Sequence, residues 1–196
     1  MRLLERSDSV LAIIDAQPGF YGGAPLVGGD RERLTLLIER CAWLAGVAAA
    51  LGVPVVVTEE DPARNGPTGA AIVARLPGGT HPFTKPAFSL ADVPEILAAV
   101  EATGRRTVVL AGLETDVCVA QSALGLLDRG FRVAAVADAL FAPGAMHEHG
   151  LARMRAAGVE LVHAKGVYYE WVRTLADARA FEASHPALAD PPGFSL

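Results

Sequence analysis

Cysteine is scarce in this chain, with only Cys41 and Cys118. That is too few for a disulfide framework, so neither thiol is expected to crosslink the fold. Basic residues do not cluster, and the net charge of -5 argues against nucleic acid as a partner. No apolar run is read as long enough to span a membrane, and the opening MRLLERSDSV lacks the apolar core of a signal peptide. A cytoplasmic location and no membrane contact are expected. No glycine-rich dinucleotide fingerprint follows the first strand-like run and no phosphate loop occurs, so no nucleotide cofactor is expected. His147, His149 and His163 stand at no strong metal-ligand spacing. Internal repeats and low-complexity segments are also missing, apart from a helix-favouring excess of alanine.

What is present is ample core material, with 52% hydrophobic residues in 196, enough for a single domain over 1–196. Val10 to Ile14 reads as a buried strand that ends on Asp15, followed by the breakers Gln17, Pro18 and Gly19. A turn-rich loop from Gly22 to Gly29 precedes a helix capped by Asp30 and running to about Leu51, stopped by Gly52. Val53 to Val57 is the second strand. Thr58, Glu59, Glu60 and Asp61 then read as a solvated loop edge at its carboxyl end, where three acids without histidine would hold a hard ion only weakly. Lys85 lies in a short extended segment between Phe83 and Phe88. A helix follows to Thr103.

Thr107 to Arg129 is the stretch the rest serves. Val108, Val109, Leu110 and Ala111 suit a strand buried on both faces. Past Gly112, positions Val119, Ser122, Ala123, Leu126 and Leu127 recur at helical spacing. Either Thr115 or Asp116 is the expected N-cap, which puts Cys118 in the first turn, where the helix dipole favours thiolate. Strands over Phe131 to Ala137 and Val159 to His163 flank a helix over His147 to Ala157. An aromatic-rich segment, 167–196, with Tyr168, Tyr169, Trp171, Leu175 and Phe181, is expected to dock on the body or on a neighbouring subunit, and Pro186 to Leu196 to fray. Alternating strands and helices, about six strands in all, predict a three-layer α/β/α fold with a mostly parallel sheet.

With Asp15, Lys85 and Cys118 each near a strand end, the chain resembles the isochorismatase-like cysteine hydrolases, the group of nicotinamidases and N-carbamoylsarcosine amidohydrolase. The motifs are LAIIDAQPGF at 11–20, KPAFS at 85–89 and AGLETDVCV at 111–119. The resemblance covers nearly the whole chain and implies a six-stranded parallel sheet. It implies a triad: Cys118 attacks a carbonyl carbon, Asp15 takes the thiol proton and returns it to the leaving amine, and Lys85 tunes both and keeps the thiolate accessible. It also implies an oxyanion hole from the backbone N–H groups of Glu114 and Cys118, and a cis peptide joining Leu113 to Glu114. Nicotinamidases carry a metal bound by an aspartate and two histidines after the second strand; Glu59 to Asp61 offer no histidine, so no bound metal is expected. Isochorismatases proper lack the cysteine, so Cys118 favours hydrolysis of a C–N bond in a small amide or carbamoyl compound, through a thioester. Phe20, Tyr21, Phe83 and Phe88 are the expected pocket walls. Homo-oligomers, dimers or tetramers, are common in the group. Rival readings are an isochorismatase-type hydrolase of another small metabolite, a redox-sensitive thiol protein, and an assembly scaffold with a vestigial triad.

Overall fold

A computed structural model describes residues 2–23 and 26–194. Ala24 and Pro25, within the expected 22–29 loop, and Ser195 and Leu196, at the end of the chain, lie outside them. Six parallel strands form one sheet: β1 (Ser9–Ile14), β2 (Val55–Glu60), β3 (Phe83–Lys85), β4 (Thr107–Leu113), β5 (Arg132–Phe141) and β6 (Glu160–Val162), in the order β3-β2-β1-β4-β5-β6. The order reverses direction at β1 and β4, and the carboxyl ends of neighbouring strands at such a switch point leave a crevice for chemistry. Every residue of β1 and β4 is buried, which explains their unbroken apolar runs.

Helices cover both faces. On one side lie α1 (Asp30–Leu51), the short α2 (Pro62–Asn65) and α3 (Ala70–Val73), α7 (Ala164–Val172) and α8 (Leu175–Ser184); on the other lie α4 (Pro94–Ala102), α5 (Ala120–Asp128) and α6 (Met146–Ala156). Alternate strand residues feed the two cores, Leu11, Ile13 and Val57 to the first and Val10, Ala12 and Val56 to the second, as the pleat requires. Contrary to the reading of the sequence, one helix is long and apolar enough to cross a membrane, Asp30–Leu51 with mean hydropathy 1.6. Its apolar positions, including Leu37, Trp43 and Leu44, are buried in the first core, so its hydrophobicity is that of a central core helix.

Several boundaries differ from the sequence pattern. The second strand starts at Val55, because Val53 is still tied back to Ala48 O by its N–H after the Gly52 stop, and it runs on through Glu60 because β3 pairs with Thr58, Glu59 and Glu60. The fifth strand continues past Asp138 to Phe141, with a register shift opposite Leu110 and Gly112. At Gly112 the chain needs glycine: φ is +123°, and a Cβ would fall 1.9 Å from Ile14 O, so β4 can approach β1 beside Asp15.

Tyr168, Trp171 and Phe181 of α7 and α8 are buried in the first core. The expected fraying over 186–196 does not hold for the described residues. Trp43 Nε1 donates to Leu188 O at 2.9 Å, Arg40 Nε donates to Pro192 O at 3.1 Å, and the Arg40 guanidinium stacks 4.9 Å from the Phe194 ring centroid. A buried indole N–H needs an acceptor, and the tail supplies it.

Gly150 of α6 packs its α-carbon on the turn that carries Cys118; a Cβ there would sit 2.8 Å from the Asp116 backbone. Gly166 in α7 has nothing within 4 Å of the same position. Gly150→Ala is therefore expected to lower stability by about 1–3 kcal/mol through overpacking, and Gly166→Ala to raise it by about 0.5–1 kcal/mol through helix propensity. Urea midpoints at unchanged m-value measure both.

Candidate active site

Asp15 stands where β1 ends. Its φ of +46° is a left-handed conformation that aspartate tolerates better than most residues, at a cost of roughly 1–3 kcal/mol. The turn is held by Asp15 N–H donating to Thr58 O at 3.0 Å and by Gln17 N–H donating to Asp15 O at 2.7 Å. The carboxylate is fully buried. Thr58 Oγ1 donates to Asp15 Oδ1 at 2.7 Å, and Lys85 Nζ lies 3.0 Å from Oδ2. Oδ2 is close enough to Lys85 to be paired by charge, yet it accepts no well-aligned hydrogen bond. One lone pair of a buried carboxylate is thereby left available.

Lys85, at the end of β3, is also fully buried. Its ammonium donates to Ala87 O at 2.6 Å and to Phe88 O at 3.0 Å. Its contact with Asp15 is one of charge, not a well-aligned hydrogen bond. Burial pushes the Asp15 carboxyl above its usual range, opposed by the Lys85 charge and the Thr58 hydroxyl.

Cys118 lies in a single π-helical turn, Thr115–Val119, that leads from β4 into α5. Neither Thr115 nor Asp116 caps this turn. Glu114 takes the N-cap position in extended conformation, and its carbonyl accepts the N–H groups of Val117 at 3.2 Å and Val119 at 3.1 Å. The Thr115 hydroxyl instead pairs with His147 Nδ1 at 2.9 Å. The Leu113 to Glu114 bond is trans, in contrast to the cis bond the resemblance implied; glycine at 112 and the wide π turn already reorient the chain between β4 and α5.

The structure brings Asp15, Lys85 and Cys118 together and adds Glu60. The Cys118 thiol donates to Glu60 Oε2 at 3.2 Å, and Cys118 Sγ, a carboxylate oxygen of Asp15 and one of Glu60 all lie within 4.8 Å of one another. The sequence had placed Glu60 in a solvated loop edge. It is instead the last residue of β2, and its backbone is clamped: Glu60 N–H donates to Gln17 Oε1 at 2.9 Å, and Glu60 O accepts from Gln17 Nε2 at 3.1 Å and Asn65 Nδ2 at 2.9 Å. Gln17 and Thr58 were likewise missed. The available signal was their position at the carboxyl ends of adjacent parallel strands, which is where sites gather.

The charges around the sulfur do not favour thiolate. Burial, then the Asp15 carboxylate, raise the Cys118 pKa; Lys85 lowers it, and Glu60 raises it again. The expectation of an accessible thiolate is corrected accordingly, because two carboxylates face one cation and Cys118 is 1% exposed. Cys41 is a core thiol, pushed up to about 12 by burial.

The three acids at 59–61 do not converge on a metal position. Glu59 accepts from Thr68 N–H and Oγ1, at 2.6 and 2.7 Å, Glu60 faces the thiol, and Asp61 takes the N-cap position of α2. Asp15, Glu60 and Cys118 do form a set with ligand-type atoms, but the Lys85 ammonium already stands against Asp15 and supplies the local positive charge.

A cavity of about 580 Å³ opens beside these residues, lined by Glu60 to Ala63 and by Thr84 to Phe88. Of the four expected wall rings, Phe88 lines it. Phe83 does not: it lines a separate depression with Val55, Val56 and Ala99, and it packs against the core that holds Cys118. Phe20 and Tyr21 pack against the first core, opposite the core that holds Cys118, with ring centroids 5.4 Å apart. The Tyr21 hydroxyl nonetheless reaches Glu114 Oε1 at 2.5 Å, which ties the N-terminal loop to the nucleophile turn. A larger depression, about 730 Å³ beside β6, is lined by neither Asp15, Lys85 nor Cys118.

Comparison with known proteins places these features in context. Residues 9–165 match the Isochorismatase domain family model. Isochorismatase domain-containing protein 2 of Bos taurus is 34% identical over 152 residues, 76% of this chain and 68% of its own length. Isochorismatase domain-containing protein 1 of Danio rerio is 39% identical over 127 residues, 64% of this chain but 44% of its own; the chain thus spans less than half of that relative. Among solved structures, YcaC from Pseudomonas aeruginosa superposes with TM-score 0.80 at 26% identity, over 96% of this chain and 94% of its own. The YcaC gene product of Escherichia coli, described as an octameric hydrolase of unknown specificity, gives 0.80 at 25%, over 96% and 93%.

Removing one partner of the buried pair should expose its cost. Lys85→Met is expected to destabilise the protein by roughly 3–5 kcal/mol at neutral pH, with much of that recovered in the double variant Asp15→Asn with Lys85→Met. The sign follows from Asp15: its folded pKa is raised, so the penalty is absent below its ordinary value of about 3.9 and grows as pH rises through the folded value. Urea denaturation from pH 3.5 to 8 measures it, and a pH-independent loss would contradict the assignment. For the thiol, the pH profile of Cys118 alkylation by iodoacetamide should be centred above that of an ordinary thiol, near 8.5. Asp15→Asn should move it down and Lys85→Met up.

Proposed function

The chain belongs to the isochorismatase family, and from that premise we propose that it hydrolyses a C–N bond of a small amide or carbamoyl compound, with Cys118 as nucleophile, Asp15 as proton carrier and Lys85 as the charge that positions Asp15. The observation that carries this reading is the fully buried Asp15 and Lys85 pair set beside a thiol that is held at the carboxyl end of the sheet. Burying two charges is costly, and neither partner is needed to pair the strands.

The thiol is protonated at rest, so attack and deprotonation are coupled. Cys118 Sγ adds to the carbonyl carbon while its proton passes to the free lone pair of Asp15 Oδ2, whose proton affinity is raised by burial, as a proton carrier requires. The carbonyl π electrons move to oxygen, and the backbone N–H groups of Glu114 and Cys118 are proposed to receive that oxyanion. Its collapse breaks the C–N bond, and Asp15 returns the proton to the departing amine. Water, deprotonated in turn by Asp15, attacks the thioester; the C–S bond breaks as Asp15 passes that proton to the departing sulfur, and the acid product and the Cys118 thiol are released. Lys85, 3.0 Å from Oδ2, holds Asp15 in place and opposes the effect of burial on its carboxyl.

We also propose a homo-oligomer, supported by the octamer described for the Escherichia coli relative, and a cytoplasmic location. A panel of small primary amides and carbamoyl compounds, assayed for release of ammonia or amine and by intact mass for an acyl adduct, tests the reaction. Cys118→Ala should abolish turnover and the adduct, and Asp15→Asn should lower kcat/KM by roughly 10²–10⁴-fold. Full turnover in Cys118→Ala would overturn the reading.

A further inference from the structure

We propose that Glu60 is the specificity-determining residue of this site, selecting carbonyl compounds that bring N–H donors or positive charge beside the attacked carbon and discriminating against carboxylates. The proposal rests on the reading of Cys118 as the acylated residue and extends it to substrate class.

Glu60 touches both the cavity and the nucleophile. It lines the 580 Å³ cavity, which Cys118 does not, and it accepts the Cys118 thiol proton at 3.2 Å. An entering acyl group must therefore meet this carboxylate on its way to the sulfur. The clamp from Gln17 and Asn65 on the Glu60 backbone leaves the side chain as the adjustable part. Freed of the thiol, the carboxylate needs a new donor, and substrate N–H groups or an ammonium supply one; a substrate carboxylate supplies only repulsion.

Among the described residues, no compensating cation is available on the wall. Lys85 is the one basic lining residue among them, and its ammonium is committed to the Asp15 charge and to Ala87 O and Phe88 O. Asp61 adds a second acid to the lining. Glu114 is pushed above the usual carboxylate range chiefly by burial, opposed by the Tyr21 hydroxyl and reinforced by the nearby charges of Asp116 and Glu60. Apart from Thr84, the remaining wall is apolar, with Pro62, Pro86 and the half-exposed ring of Phe88, a surface suited to the organic part of a cation. Acid and aromatic together describe a small amide bearing amino, amidino or ureido nitrogen.

Two methanethiosulfonates of similar size, one carrying trimethylammonium and one sulfonate, test this without turnover. Each transfers its alkylthio group to Cys118 as a mixed disulfide and releases methanesulfinate. Rates are read by intact mass, assigned to Cys118 rather than Cys41 by peptide mapping, and divided by the rate with free cysteine amide. The cationic reagent should react at least tenfold faster after that correction at low salt. Glu60→Gln should bring the ratio to within about threefold of one, whereas a surface change remote from the site, Glu182→Gln, should leave it intact. A ratio at or below one, or a preference that survives Glu60→Gln, overturns the proposal, as would faster hydrolysis of anionic amides than of cationic ones. A preserved charge preference with no amide hydrolysed would instead count against the hydrolase reading alone.

Discussion

The ion pair between Asp15 and Lys85 is the constraint on which the site depends. Both side chains have no exposed surface, and an isolated carboxylate or ammonium at such depth would lose its charge rather than remain. The pair persists because most other polar needs are met nearby, with one lone pair of Asp15 Oδ2 left over: Thr58 donates to the other carboxylate oxygen, and two carbonyls of the 87–88 turn accept from the ammonium. The consequence for architecture is tight. Asp15 must leave β1 in a left-handed conformation, β3 must be short enough to end at Lys85, and Gly112 must lack a side chain so that β4 can close against Ile14. Sheet order then does the rest, since β1 and β4 are neighbours and Cys118 follows β4 directly.

A second layer holds the nucleophile turn. Gly150 lets α6 lie against Asp116, and His147 from the same helix reaches the Thr115 hydroxyl. Burial, then the nearby Arg33 charge, lower the His147 pKa, so the ring is held neutral and its Nδ1 is fit to pair with the hydroxyl. On the other side Tyr21 reaches Glu114. The turn is thus gripped from α6 and from the loop after β1, which gives the π-helical segment a fixed shape without a side-chain cap.

Much of this was legible in the residues, for definable reasons. Runs such as Val10 to Ile14 and Val108 to Ala111 are buried on both sheet faces, so composition alone marks them. The helix over Asp30–Leu51 was readable because glycines stand at both ends. Glu60 was not readable, since a polar residue at the end of a buried strand looks like the start of a loop until pairing with β3 is known. Phe83 and Lys85 are two apart on a three-residue edge strand, yet they line different depressions, which alternation along the strand does not report. The tail looked frayed because its polar anchors, Trp43 and Arg40, lie about 150 residues earlier, and no local pattern reports them. His147 looked like a helix-surface residue for the same reason.

The state of the thiol is the sharpest case. A first-turn position and a nearby lysine argue for thiolate when each is considered singly. In three dimensions the lysine is already committed to Asp15, Glu60 stands on the sulfur, and the turn is a π turn rather than the start of a capped α-helix. The sum reverses the sign. A protonated thiol beside a carboxylate of raised proton affinity needs no standing charge separation, and the proton moves only when a carbonyl is in place to receive the sulfur's electrons. Such an arrangement also guards the cysteine from adventitious oxidants, which attack thiolate faster than thiol. Reactivity is then conferred by the substrate that displaces Glu60, and not by the resting site.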